Sequence, residues 1–288
     1  MRPVIDAHHH LLDPARFDYP WLTPELAAID RRFGPDDLAP ELVAAGIDRT
    51  ILVQTIASVE ETREFLATAA SVPFIGGVIG WVDLTDRGVR ETLDALRGGP
   101  GGEWLIGIRH QVHDEPDPEW LLRVDVRRGL AAIEAAGFAY DLLVRSRELP
   151  AALTVAREMG GLRLVIDHAA KPPIRSGATE PWASLLRPFG ELPNVTCKLS
   201  GLVTEADPAT WQVADLAPYV EIALETFGPS RVLFGSDWPV CLVAASYADV
   251  VTAARDLTAD LSTEERGAVF GSAAEAAYRL SVPPDRIG

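Results

Sequence analysis

The chain has 288 residues, 48% of them hydrophobic, with 42 acidic against 26 basic side chains and a formal net charge of −16. That is core enough for one large domain or two small ones, and the acidic balance argues against nucleic acid or an anionic membrane as a partner. No apolar run approaches the roughly 18 residues of a membrane helix, and the N-terminus lacks the basic-then-apolar order of a secretory leader, so a cytoplasmic protein is expected.

The first expected strand, Val4 to His10, ends in His8, His9 and His10. Strand alternation predicts Asp6, His8 and His10 on one face and His9 on the other. A tag fragment is the bland alternative, but the run is short and lies inside an apolar strand pattern. Residues 11–35 form a long connection rich in proline and aromatics, with Trp21 in Tyr19-Pro20-Trp21-Leu22. A helix follows over Asp36 to Gly46, then a strand over Thr50 to Gln54. The next helix opens with the capping pattern Ser58-Val59-Glu60-Glu61. Further strands are predicted over Phe74 to Val82, Leu105 to His110, Ala139 to Val144, Leu162 to His168, Val195 to Ser200 and Arg231 to Asp237, with helical sequence after each. The last helix starts with Ser262-Thr263-Glu264-Glu265. Cys197 and Cys241 lie in apolar segments without metal-type spacing and read as buried free thiols.

Eight apolar strands alternating with helices predict a parallel sheet closed as a TIM (β/α)₈ barrel, with residues 1–288 as a single domain. An open doubly wound sheet would instead place a glycine-rich phosphate turn after strand one.

In such a barrel the C-terminal strand ends converge on one mouth. Those ends carry His8 and His10, Trp81, Arg109 and His110, His168 and Lys171, Lys198, and Asp237 with Trp238. All six histidines stand at or just beyond a strand end, which scattered structural histidines would not be expected to do. His8, His10, His168 and Asp237 make a mixed imidazole and carboxylate set suited to one divalent ion, zinc first, with a position left for water. The metal-independent alternative uses Asp237 as the general base, with a histidine or lysine polarising a carbonyl. Both lead to hydrolysis at a carbonyl carbon. Each residue has a plainer reading: a capped strand end for His168 and Asp237, a loop histidine for His110, a solvated turn for Lys171, core aromatics for Trp21, Trp81 and Trp238.

Ile5-Asp6-Ala7-His8-His9-His10 resembles the H-x-H signature of the amidohydrolase superfamily. Val165 to Pro172, Cys197 to Leu202, Leu233 to Pro239 and Tyr19-Pro20-Trp21-Leu22 are similar to its lactonase-like branch. That branch holds sugar lactonases and 2-pyrone-4,6-dicarboxylate hydrolases. The resemblance spans nearly the whole chain in order. It implies a distorted (β/α)₈ barrel, lactone opening by water, Asp237 taking the proton, and His8, His10 and His168 lining the carbonyl side. One departure is that strand five offers Asp141 and no histidine or lysine, against a two-metal centre.

The expected function is opening of a small sugar lactone, such as fuconolactone or rhamnonolactone, to its hydroxy acid. Asp237 and His168 would be catalytic. Trp21, Trp81, Arg109, His110, Lys171, Lys198 and Trp238 would bind substrate. An aromatic dicarboxylate lactone would call for several arginines at the mouth, and a metal-dependent non-oxidative decarboxylase is the other enzymatic alternative. Whether the chain forms a homo-oligomer is left open by the sequence.

Overall fold

Eight short strands lie side by side in chain order, all parallel: β1 (Ile5–His9), β2 (Arg49–Val53), β3 (Ile75–Gly80), β4 (Leu105–His110), β5 (Ala139–Leu142), β6 (Arg163–Ile166), β7 (Val195–Leu199) and β8 (Val232–Phe234). The computed structural model describes residues 2–280; Met1 and residues 281–288, the two ends of the expected domain, lie outside the described residues. The connections carry α1 (Pro35–Ala45), α2 (Val59–Ser71), α3 (Val89–Gly98), α4 (Val124–Ala136), α5 (Leu149–Glu158), α6 (Trp182–Leu186), α7 (Leu202–Glu205), α8 (Val213–Phe227) and α9 (Tyr247–Leu257). The last elements among the described residues are α10 (Thr263–Gly267), a π-helical turn (Ala268–Ser272) and α11 (Ala273–Tyr278). This is the expected TIM-barrel arrangement.

The capping box read at Ser262 forms in full, Glu265 Oε2 accepting from Ser262 N at 2.8 Å, whereas at Ser58 only the serine half forms, because the Glu61 carboxylate turns to Thr55 and Ile56. Ser58 Oγ accepts from Glu61 N at 3.2 Å, and Ser262 Oγ from Glu265 N at 3.3 Å. Cys197 and Cys241 are buried free thiols.

The barrel closes by a short seam. Beyond β8, Asp237 N donates to His8 O (2.8 Å) and His10 N to Trp238 O (2.6 Å). The Asp6 carboxylate supplies one more acceptor, for Ser236 N at 2.8 Å, and also receives the Tyr247 hydroxyl of α9 at 3.0 Å.

This use of Asp6 overturns the expectation that Asp6, His8 and His10 share a face. Asp6 pairs with Thr50 and His9 with Leu52, so β1 spends three steps where β2 spends two. The extra residue is a β-bulge, which re-aims the side chains after it. Ile5 and Ala7 therefore point into the barrel, Asp6 faces α9, and His8 and His10 return to the interior at the mouth.

The interior is layered, as closed barrels of this size are. Ile5, Ala7, Ile51, Val53, Ile79, Ala139, Val165 and Leu233 form an apolar floor, and α11 plugs it from below with Ala273, Ala274, Ala277 and Tyr278. Asp141 and Asp167, two residues beyond Ala139 and Val165, join Arg109 of β4 and Lys198 of β7 in a charged layer above that floor. All four are at most 3% exposed.

Candidate active site

The site is built on the charged layer. Lys198 Nζ donates to Asp141 Oδ2 at 2.6 Å and lies 2.9 Å from Asp167 Oδ1; Arg109 Nη1 donates to Asp167 Oδ2 at 3.0 Å. Arg109 also donates to the Gln54 carbonyl. Two cations thus meet two carboxylates, the condition under which buried charge is tolerated. Burial pushes the Asp167 carboxyl up, but Lys198, His8 and Arg109 more than offset it and hold the group well below its usual range.

His8 rests on this layer. Its Nδ1 is 3.3 Å from Lys198 Nζ and 3.5 Å from Asp167 Oδ1, and its Nε2 faces the mouth, 3.3 Å from Arg109 Nη1. His10 bonds the Val53 carbonyl through Nδ1 at 2.8 Å. A carbonyl only accepts, so the His10 proton is on Nδ1 and a lone pair is on Nε2 in the neutral ring. That Nε2 lies 3.2 Å from His8 Nε2 and 3.4 Å from Asp237 Oδ1.

His168 and Asp237 arrive on unusual backbone. The predicted strands were to run through both residues. Instead β6 stops at Ile166, and His168, Ala169, Ala170 and Lys171 all take positive φ, 53°, 48°, 61° and 51°; Asp237 has φ 60°. Left-handed conformation costs about 1–2 kcal/mol per non-glycine residue, and such strain gathers at functional sites. Trp182 of α6 offsets part of it, donating Nε1–H to the Ala169 carbonyl at 2.7 Å from a fully buried position. The turn swings His168 over the mouth, its ring 4.6 Å from that of His8 and its Nδ1 2.8 Å from Ser200 Oγ. Ligand-type atoms of His8, His168 and Asp237 all lie within 4.8 Å of one another.

Charge states follow from burial. Burial keeps His8 neutral well below its ordinary pKa and lowers His168 to about 4, against the pull of Asp237. Burial opposes the Asp237 charge, yet the facing imidazoles, His168 foremost and then His8, hold its carboxyl well below the usual range. At neutral pH the mouth therefore presents one carboxylate with uncharged His8 and His168 beside it.

Several residues expected to touch substrate are placed otherwise. Arg109 and Lys198 point into the charged layer, because they sit at inward strand positions opposite carboxylates. His110 has both ring nitrogens engaged: Nδ1 accepts the Trp81 indole N–H at 3.0 Å, Nε2 donates to Glu115 at 2.8 Å, and the ring stacks on Trp120 at 4.4 Å. It props Trp81. Trp238 is 3% exposed and packs edge-on against Phe33; it belongs to the seam and core. Trp21 is half-buried, edge-on to Tyr19, and its indole N–H has no acceptor among the described residues. Lys171 is half-buried and donates to Glu205 of α7 at 2.6 Å.

Sequence reasoning passed over Asp167 and Gly201. Asp167 was readable as an inward position two residues after Val165. Gly201 carried no signal beyond its composition.

The family model described as amidohydrolase (Amidohydro_2) matches residues 5–280. An L-fucono-1,5-lactonase of Burkholderia ambifaria is 39% identical over 283 residues, covering 97% of this chain and 96% of that protein. One of Burkholderia multivorans is 37% identical, covering 98% and 97%. Among solved structures, a Burkholderia multivorans amidohydrolase with bound zinc superposes with a TM-score of 0.90 at 37% identity, over 97% of this chain and all of that one. By its sequence from β1 to α11, and by the barrel it builds, the chain belongs to the amidohydrolase family.

Proposed function

We propose that the chain hydrolyses a small sugar lactone, with L-fucono-1,5-lactone the first compound to test. The observation that carries this reading is the Asp237 carboxylate, ionised and held against uncharged His8 and His168 at the barrel mouth. The two relatives at 37% and 39% identity, both L-fucono-1,5-lactonases, support it.

In this mechanism Asp237 accepts a proton as water adds to the lactone carbonyl carbon. His8, His10 and His168 line the carbonyl side, where an imidazole N–H of His8 or His168 meets the negative charge that develops on the carbonyl oxygen. Collapse of the tetrahedral species breaks the bond to the ring oxygen. That oxygen takes the proton from Asp237, leaving a hydroxy acid and the original carboxylate. Trp81, braced by His110, forms a wall, and Lys171 with Glu205 offers a donor and an acceptor to sugar hydroxyls.

A divalent ion such as zinc fits the same residues. His10 Nε2, His8 Nε2 and Asp237 Oδ1 converge within 3.7 Å, and Gly201 leaves the space beside His168 and Asp237 free of a side chain. His8, His168 and Asp237 would hold the ion, with His10 adjacent; bound there, it would polarise the carbonyl and ease deprotonation of water. Inward-turned Arg109 and Lys198 leave the expected cation set short for a dicarboxylate substrate, which favours a neutral lactone.

A pH-indicator screen of sugar and aromatic lactones, run with and without chelator, tests the proposal. Turnover of a sugar lactone supports it. Turnover confined to aromatic dicarboxylate lactones, or release of CO₂ from an aromatic acid without lactone turnover, overturns it.

A further inference from the structure

The floor of the barrel is joined to the mouth through polar side chains. The C-terminal helix α11 carries Tyr278, fully buried, beneath the charged layer. Its hydroxyl lies 2.9 Å from both oxygens of Asp141. Asp141 receives Lys198 at 2.6 Å, and Lys198 reaches His8 Nδ1 at 3.3 Å. We infer that Tyr278 is a positioning residue for His8: its hydroxyl fixes Asp141, which fixes the Lys198 ammonium against the imidazole.

The physical basis is donor and acceptor count. An ammonium only donates, and its place depends on which carboxylate oxygens are aimed at it. Asp141 has no other anchor: its strand neighbours Tyr140 and Leu142 face the helix layer, and Tyr278 and Lys198 are its side-chain partners among the described residues. With the hydroxyl gone, the Asp141 carboxylate can rotate, and the ammonium, which Asp141 shares with Asp167 Oδ1 at 2.9 Å, shifts relative to Nδ1. The ring of His8 then loses the donor at 3.3 Å from Nδ1, one of the contacts that set its orientation and the nitrogen on which its proton resides. The helix is itself seated for this task. A methyl group on Gly271, in the π-turn, would fall 2.5 Å from the Pro3 carbonyl, so glycine lets the helix press against the start of β1. Arg163 at the start of β6 donates to the Ala277 carbonyl at 3.0 Å. Tyr278 is thus held at a fixed height beneath Asp141.

This inference rests on placing His8 in the active site, and its test is separable from lactone turnover. The protein is labelled with ¹⁵N-histidine, and the ring nitrogens of His8 and His110 are followed in wild type, Tyr278→Phe and Asp141→Asn. Tyr278→Phe keeps the ring that fills the floor; Asp141→Asn reads the same relay should the first variant not fold. The expected result is a change in the His8 ring resonances with those of His110 unmoved. In the lactone assay kcat should fall about tenfold with KM within about twofold, as when the outer partner of a site imidazole is removed. His8 resonances unchanged in a folded variant overturn the inference, and so does a general shift of both histidines with loss of stability. If no lactone is turned over by wild type, the proposed function fails, and the His8 spectrum still decides the role of Tyr278.

Discussion

Gly201 and Asp237 stand so close that a methyl group built on Gly201 would lie 2.8 Å from Asp237 Oδ2, and 2.7 Å from His168 Nδ1. Gly201 also has φ 60°, where a side chain is strained regardless of space. Gly201→Ala should therefore displace the carboxylate or the imidazole and lower kcat/KM about 100-fold, the scale of a misplacement near 1 Å. Steady-state kinetics beside a melting curve check this: wild-type kcat/KM in the variant would mean that the space is not used.

Trp182 holds the left-handed turn that presents His168. Trp182→Phe keeps an aromatic ring but leaves the Ala169 carbonyl without its donor. A buried acceptor so orphaned costs about 1–3 kcal/mol. Urea unfolding should show that loss, with lowered kcat because His168 is no longer fixed. A variant as stable as wild type would remove Trp182 from this role.

The charged layer makes a prediction about partners. Lys198→Met leaves Asp141 without a cation, while Asp167 keeps Arg109. Breaking a buried pair on one side costs about 3–5 kcal/mol. Adding Asp141→Asn to Lys198→Met should recover part of that loss, because the uncompensated charge is gone. Additive losses in the double variant, read by urea denaturation at pH 7, would contradict the pairing.

Glu61 gives a pH signature away from the site. It is fully buried, accepts from Thr55 N at 2.9 Å and from the Thr55 hydroxyl, and burial pushes its carboxyl up from 4.5 to about 7. A raised carboxyl binds its proton in the folded state at pH values where the unfolded chain has released it. Its stabilising contribution is thus present below pH 4.5 and lost as pH rises toward 7. Glu61→Gln cannot titrate, so the wild-type minus variant stability difference should shrink from pH 4.5 to pH 8, by on the order of 3 kcal/mol. A constant difference over that range would mean that Glu61 is ionised throughout.

Much of this architecture was legible in the chain. The alternation of apolar strands and helices dictated a parallel barrel, and barrel closure dictated that His8, His10, His168 and Asp237 meet. Strand parity failed at β1, where the bulge turns Asp6 away from the histidines, because a one-residue insertion is silent in a hydrophobic pattern. It also hid which cations stay inside. Arg109 and Lys198 stand at strand ends like ligand-binding residues, but each follows an inward position by two, opposite Asp167 or Asp141. The left-handed turns at His168 and Asp237 break the expected strands early, since tertiary contacts such as that of Trp182 override local preference.

The role proposed for Asp237 is to take the proton of the attacking water. Asp237→Asn is nearly isosteric and removes the charge. Its kcat for L-fucono-1,5-lactone should fall at least about 1,000-fold, toward the lower range left by a site that loses its base, with the fold unchanged by circular dichroism. Hydrolysis by Asp237→Asn at the wild-type rate would contradict it.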